Sequence, residues 1–108
     1  MLSQVYYLLR SKADGSYLVA RLDELSSSAK NTQYLLMFNE SFDALSYLNT
    51  HAFDLRENFS VESIAGNQLG NLMQRWGFKG VGIVQDPILP KIDFLAKNWV
   101  FLHLYSKN

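Results

Sequence analysis

The chain has 108 residues, 48% of them hydrophobic, with ten basic and ten acidic side chains and no cysteine. That length suits one domain, residues 1–108, which buries roughly 60–70% of the unfolded surface and needs neither disulfide nor metal to fold. Balanced, interspersed charge excludes a strong field toward nucleic acid or anionic lipid, and the missing cysteine excludes disulfides, thiolate metal sites and a thiol nucleophile.

Residues 1–12 have no basic stretch before their apolar run and no cleavage site after it, so no signal peptide is expected. No apolar run approaches the roughly 20 residues of a membrane helix. The expected location is the cytoplasm, whose reducing conditions fit a cysteine-free chain.

Gln4 to Arg10 alternates weakly and is rich in Tyr, Val and Leu. An Asp14-Gly15 turn signal follows, and Tyr17 to Leu22 reads as a return strand, predicting an antiparallel hairpin. Asp23 to Thr32 is polar and Ser-rich, a surface loop. Gln33 to Phe38 is a short apolar strand. Asn39-Glu40-Ser41 then starts a helix, with Glu40 and Asp43 in the first turn where the dipole favours acids. Phe42, Leu45 and Leu48 mark its expected buried side. Asp54 to Asn58 is a charged connection, and Phe59 to Ile64 alternates with period two, as a strand with one exposed face does.

Leu69, Leu72, Met73 and Trp76 fall at i, i+3, i+4 and i+7, on one face of a helix. Asn67 is placed to cap its start. Gly77 sits where a left-handed residue stops a helix, with Phe78 folding back toward Met73. Val81, Ile83 and Val84 form a run suited to an interior strand, interrupted by Gly82 where a side chain crosses closely. Asp86-Pro87 ends it. Pro87 to Pro90 is a turn or extended loop, and Lys91 to Lys97 reads as a loose helical turn. Trp99 to Tyr105 alternates again, a final strand beside the hairpin.

The sum is an α/β fold of mixed α+β character: a single mixed sheet of about five or six strands, an N-terminal hairpin, and a C-terminal edge strand. Two main helices lie within strand–helix–strand units, whose strands are expected to be parallel and whose crossovers right-handed.

Residues Gln33 to Pro87 resemble the N-terminal domain of the SseB-like family, through Phe38, Glu40, Ala44, Leu72, Gly77, Gly80, Val81 and the Asp86-Pro87 pair. The resemblance implies a mixed α/β domain with a protein-interaction role and brings no catalytic residues.

Parallel strands bring their carboxyl ends to one sheet edge, where ligands of open α/β sheets bind. The residues there are Asn39, Glu40 and Ser41, Gly66 and Asn67, and Gln85 and Asp86. Two helix N-termini at that edge suit an anion; caps and turns require the same residue types. Gly77, Gly80 and Gly82 lie between helix and strand, so they are not a phosphate loop.

The only histidines, His51 and His103, have no triad or metal partners at a telling spacing, and structural roles are expected for both. Trp99, Phe101, His103 and Tyr105 share one strand face, which fits a subunit contact, a core covered by the chain's own loops, or a ligand platform. No catalytic residue, metal set or cofactor is assigned. The expected function is a non-catalytic protein-interaction or regulatory module with a protein partner or self-association as a homodimer, and no nucleic acid or membrane. The alternative is a small-ligand or anion binder at the carboxyl edge.

Overall fold

The computed structural model describes residues 4–21 and 33–96. The expected final strand, with its face of Trp99, Phe101, His103 and Tyr105, lies outside the described residues, as do Leu22 and the loop expected from Asp23 to Thr32. The elements are β1 (Val5–Ser11), β2 (Val19–Arg21), β3 (Gln33–Phe38), α1 (Ser41–His51), β4 (Phe59–Ala65), α2 (Leu69–Trp76), β5 (Gly80–Asp86) and β6 (Lys91–Ala96). Short 3-10 turns at Phe53–Asn58 and Gly66–Gln68 lead into β4 and out of it. The strands form one mixed sheet in the order β4-β1-β3-β5-β6, with β2 also paired to β3.

β3 and β5 pair in parallel. β4 and β3 are each antiparallel to the β1 between them, so β3, β4 and β5 all run the same way. From β3 the chain crosses outward over β1 to β4 by way of α1. It then returns past β1 and β3 to β5 by way of α2. These crossings run in opposite directions, so crossovers of one hand must place the helices on opposite faces. The two cores show that they do. α1 packs Ala44 and Leu48 with Leu9, Leu36, Phe38 and Val84. α2 packs Leu69, Leu72 and Met73 with Leu8, Leu35, Met37 and Val81. Successive residues of β3 therefore feed alternate cores, which is why that strand reads as a continuous apolar run.

Gly77 stops α2 in the left-handed region, at φ 73° and ψ 30°. Its N–H and that of Phe78 both bond the Met73 carbonyl, at 2.8 and 3.2 Å. Phe78 turns back into the core with Met73, and β5 then runs through the interior with Val81 and Val84 fully buried. At Gly82 a Cβ would meet Ile92 and Phe94 of β6 at 3.0 Å and Leu36 at 3.1 Å, the close crossing expected there.

Four local expectations are corrected. Asn67 does not cap α2: the Gly66 carbonyl already accepts the Leu69 N–H through the preceding 3-10 turn, and the N-cap is Gln68, without a side-chain bond. Trp76 keeps its expected place on the helix face, at the rim and 38% exposed. On α1 the buried stripe is shifted to Ala44 and Leu48, leaving Phe42 63% and Leu45 50% exposed, because a small Ala lets the helix lie close to the sheet.

Lys91–Ala96 is strand β6, not a helical turn. Its Ile92 and Phe94 close over Gly82, and the register pairs Phe94 directly with that glycine. The hairpin opens early: Tyr17 bridges Arg10, but Val19–Arg21 runs antiparallel to β3. Since β1 is also antiparallel to β3, the chain resumes the direction of β1 after its turn. Asp14 holds that turn, accepting the Ser16 N–H at 3.0 Å and the Ser16 hydroxyl at 2.7 Å.

Candidate functional site

At the carboxyl edge the sheet order makes β3 and β5 neighbours, which brings Asn39, Glu40 and Ser41 to the same margin as Gln85 and Asp86. Gly66 and Asn67 follow β4, with β1 intervening. The bonds made here are those of turns. Asp86 Oδ1 accepts the N–H groups of Ile88 and Leu89 at 2.9 and 3.2 Å. Gln85 Nε2 donates to Asp93 Oδ2 at 3.1 Å. Glu40 precedes α1 without a side-chain cap, and its carbonyl accepts the Asp43 N–H at 3.1 Å. His51 Nε2 donates to the Pro87 carbonyl at 2.9 Å, tying the end of α1 to the β5–β6 turn. Its ring also packs against Tyr47, at 4.7 Å between centroids.

A second arrangement lies on the α2 face, in an open cleft of about 360 Å³ lined by residues of β1, β4 and α2. Its chemistry starts from the alternation of the strands. On this face β1 presents Tyr6, Leu8 and Arg10, and β4 presents Ser60, Glu62 and Ile64. The face expected to be exposed on β4 is open only at Ser60. It is half-buried at Glu62 and closed at Ile64, which joins the core of α2.

The Glu62 carboxylate is held at both oxygens. Arg10 Nη1 donates to Oε1 at 3.1 Å, and the Tyr17 hydroxyl donates to Oε2 at 2.9 Å. Arg10 Nε donates to the Gly15 carbonyl at 2.8 Å, and its guanidinium lies 4.9 Å from the Tyr17 ring centroid. The Tyr17 ring meets Trp76 edge-on at 5.2 Å, and Trp76 stacks on Phe78 at 6.1 Å. A file of Phe78, Trp76, Tyr17 and Arg10 thus joins the end of α2 to β1. Burial pushes the Tyr17 hydroxyl above its ordinary pKa, and the Glu62 carboxylate adds to the shift, while Arg10 and Arg75 pull the other way.

Across the cleft, α2 and its lead-in contribute Gln68, Asn71, Leu72 and Arg75. Among the described residues the side chains of Gln68, Asn71 and Arg75 have no hydrogen bond or ion pair. The cleft therefore has a braced wall along β1 and β4 and a wall of free polar groups along α2.

Sequence reasoning missed this site because Arg10, Tyr17, Glu62 and Arg75 come from separate parts of the chain. The one local signal is Glu62, an acid on the strand face that ends in Ile64. Among the described residues no group of His, Cys, Asp or Glu is placed to hold a metal ion, and no helix is long and apolar enough to cross a membrane. No protein-family model, curated protein or solved structure matches this chain.

Proposed function

We propose that the protein is a non-catalytic interaction module that takes an extended segment of a partner protein along β4, beside α2. One observation carries this reading: β4, a seven-residue strand paired only with β1 among the described residues, forms one wall of a cleft whose other wall is α2.

A strand edge of this kind offers main-chain donors and acceptors to an added strand, and the groove beside it receives alternate side chains. Natural edges are blunted by Lys, Pro or bulges. β4 contains neither residue, and its register with β1 runs unbroken from Phe59 to Ala65. Its one charge, Glu62, points inward as edge-protecting charges do, but Arg10 and Tyr17 satisfy it within the fold. The resemblance of residues 33–87 to SseB-like domains supports the same class of function.

The test is fluorescence anisotropy with a labelled, acetylated heptapeptide of alternating Val and Thr around a central Glu. Binding that is lost when alternate peptide nitrogens are methylated supports strand addition. Binding that survives methylation, or no binding, rejects it. A dimer seen by sedimentation and dissolved by the peptide would reassign the edge to a second copy of the chain.

A further inference from the structure

We infer that the groove selects an acidic side chain on the incoming segment and that Arg75 holds it. This rests on the strand-addition reading above and specifies its partner. Three charged residues line the cleft: Arg10, Glu62 and Arg75. Arg10 and Glu62 are committed to each other, and both Glu62 oxygens already accept bonds. The Glu62 charge is already compensated by Arg10, so a basic side chain gains little from it, and Arg10 is further restrained by the Gly15 carbonyl and the Tyr17 ring.

Arg75 is the uncommitted charge. It lies in the last turn of α2, where the helix dipole favours a cation. It has no ion pair or hydrogen bond among the described residues. Its charge is felt at the Tyr17 hydroxyl, on the opposite wall. Positions 68, 71 and 75 share one flank of the helix by their spacing. A carboxylate that reaches Arg75 has the free amide of Asn71 one turn away, and that of Gln68 lies a further turn along the same wall. A Lys in its place would meet a net positive lining. The protein as a whole is neutral, so the preference is local to the groove.

The experiment titrates the full chain with the same Val/Thr heptapeptide bearing Glu, Gln or Lys at its centre. The Glu probe should bind about fivefold more tightly than the Gln probe, the effect of one partly exposed ion pair, with the gap closing at high salt. Arg75→Gln should abolish the gap and leave the Gln probe unaffected; Arg75→Glu should turn the preference to Lys. Arg75 is exposed, so both variants keep the fold. If the probes bind without regard to charge, or the preference survives Arg75→Gln, this inference is overturned and strand addition stands. If no probe binds, strand addition fails and this inference fails with it.

Discussion

β4 and β5 are each seven residues long and run in the same direction, yet they occupy opposite kinds of place in the sheet. β5 is paired on both sides, by β3 and β6, and sends Val81 into one core and Val84 into the other. β4 is paired on one side among the described residues and leaves Ser60 and Ser63 exposed. Length and β-propensity do not separate the two strands. What separates them is the space their residues leave for neighbours. Glycine weakens a strand taken alone, but in β5 it lets the next backbone and its side chains come close. β4 carries side chains throughout and keeps its only charge folded onto the sheet.

The largest expected effect comes from filling that space. A Cβ at Gly80 would collide with the Leu95 carbonyl and reach the Ala96 Cα at 3.0 Å, and both obstacles are backbone. Gly80→Ala must therefore push β6 away from β5, at a cost on the order of 3 kcal/mol. At Gly82 the same Cβ meets only side-chain atoms of Ile92, Phe94 and Leu36, which can turn aside. Gly82→Ala should cost about 1 kcal/mol. Denaturant melts of the two variants check the ranking. Equal losses would mean that close backbone approach is not what seats β6.

The same contrast explains what could be read in the sequence. The passage from Leu69 to Val84 was legible because its signals are local: a helical period, a glycine at the stop, and a short apolar run behind it. β6 was not, since Ile92 and Phe94 acquire their meaning only opposite Gly82, a partner found by folding. On α1 the period was right and the phase was wrong. Phe42 and Leu45 are larger and more apolar than Ala44, yet Ala44 is the one the sheet can accommodate. The carboxyl edge was placed correctly in direction through the shared sense of β3, β4 and β5, while the β4 end proved to be separated by β1. The Arg10–Tyr17–Glu62 cluster was out of reach, because it depends on where the early hairpin opens.

A smaller effect sharpens the comparison from the groove side. Tyr17→Phe removes the donor to Glu62 Oε2, which water can partly replace at a half-exposed carboxylate, so the loss near neutrality should be about 0.5–1 kcal/mol. The pH dependence tells more. The folded pKa of Tyr17 is raised above its ordinary value of 10.0. Its contribution is therefore complete below that pH and is lost as the pH rises through the folded value. Stability of the parent should fall in that alkaline range, and Tyr17→Phe should fall less steeply. Tyr6 and Tyr47, also raised by burial, should keep part of the slope. Melts across the alkaline range give the answer. Identical slopes would show that burial and the Glu62 carboxylate do not raise the Tyr17 hydroxyl as the geometry implies.

The subtlest expected signal bears most directly on function. In an antiparallel pair, alternate residues direct their N–H and C=O groups at the partner strand, and the residues between them direct theirs away. Amides of Val81 to Val84, in a strand bonded on both flanks, should all exchange slowly with solvent. In β4 slow and fast amides should alternate, since only every second residue faces β1. Hydrogen exchange read residue by residue distinguishes the two patterns without changing the chain. Adding the Glu heptapeptide should slow the fast set in β4 and leave β5 unaltered, because an added strand takes up those amides and no others. Uniformly slow exchange in free β4 would mean that its edge is already taken, and then neither a partner strand nor a carboxylate at Arg75 could be seated there.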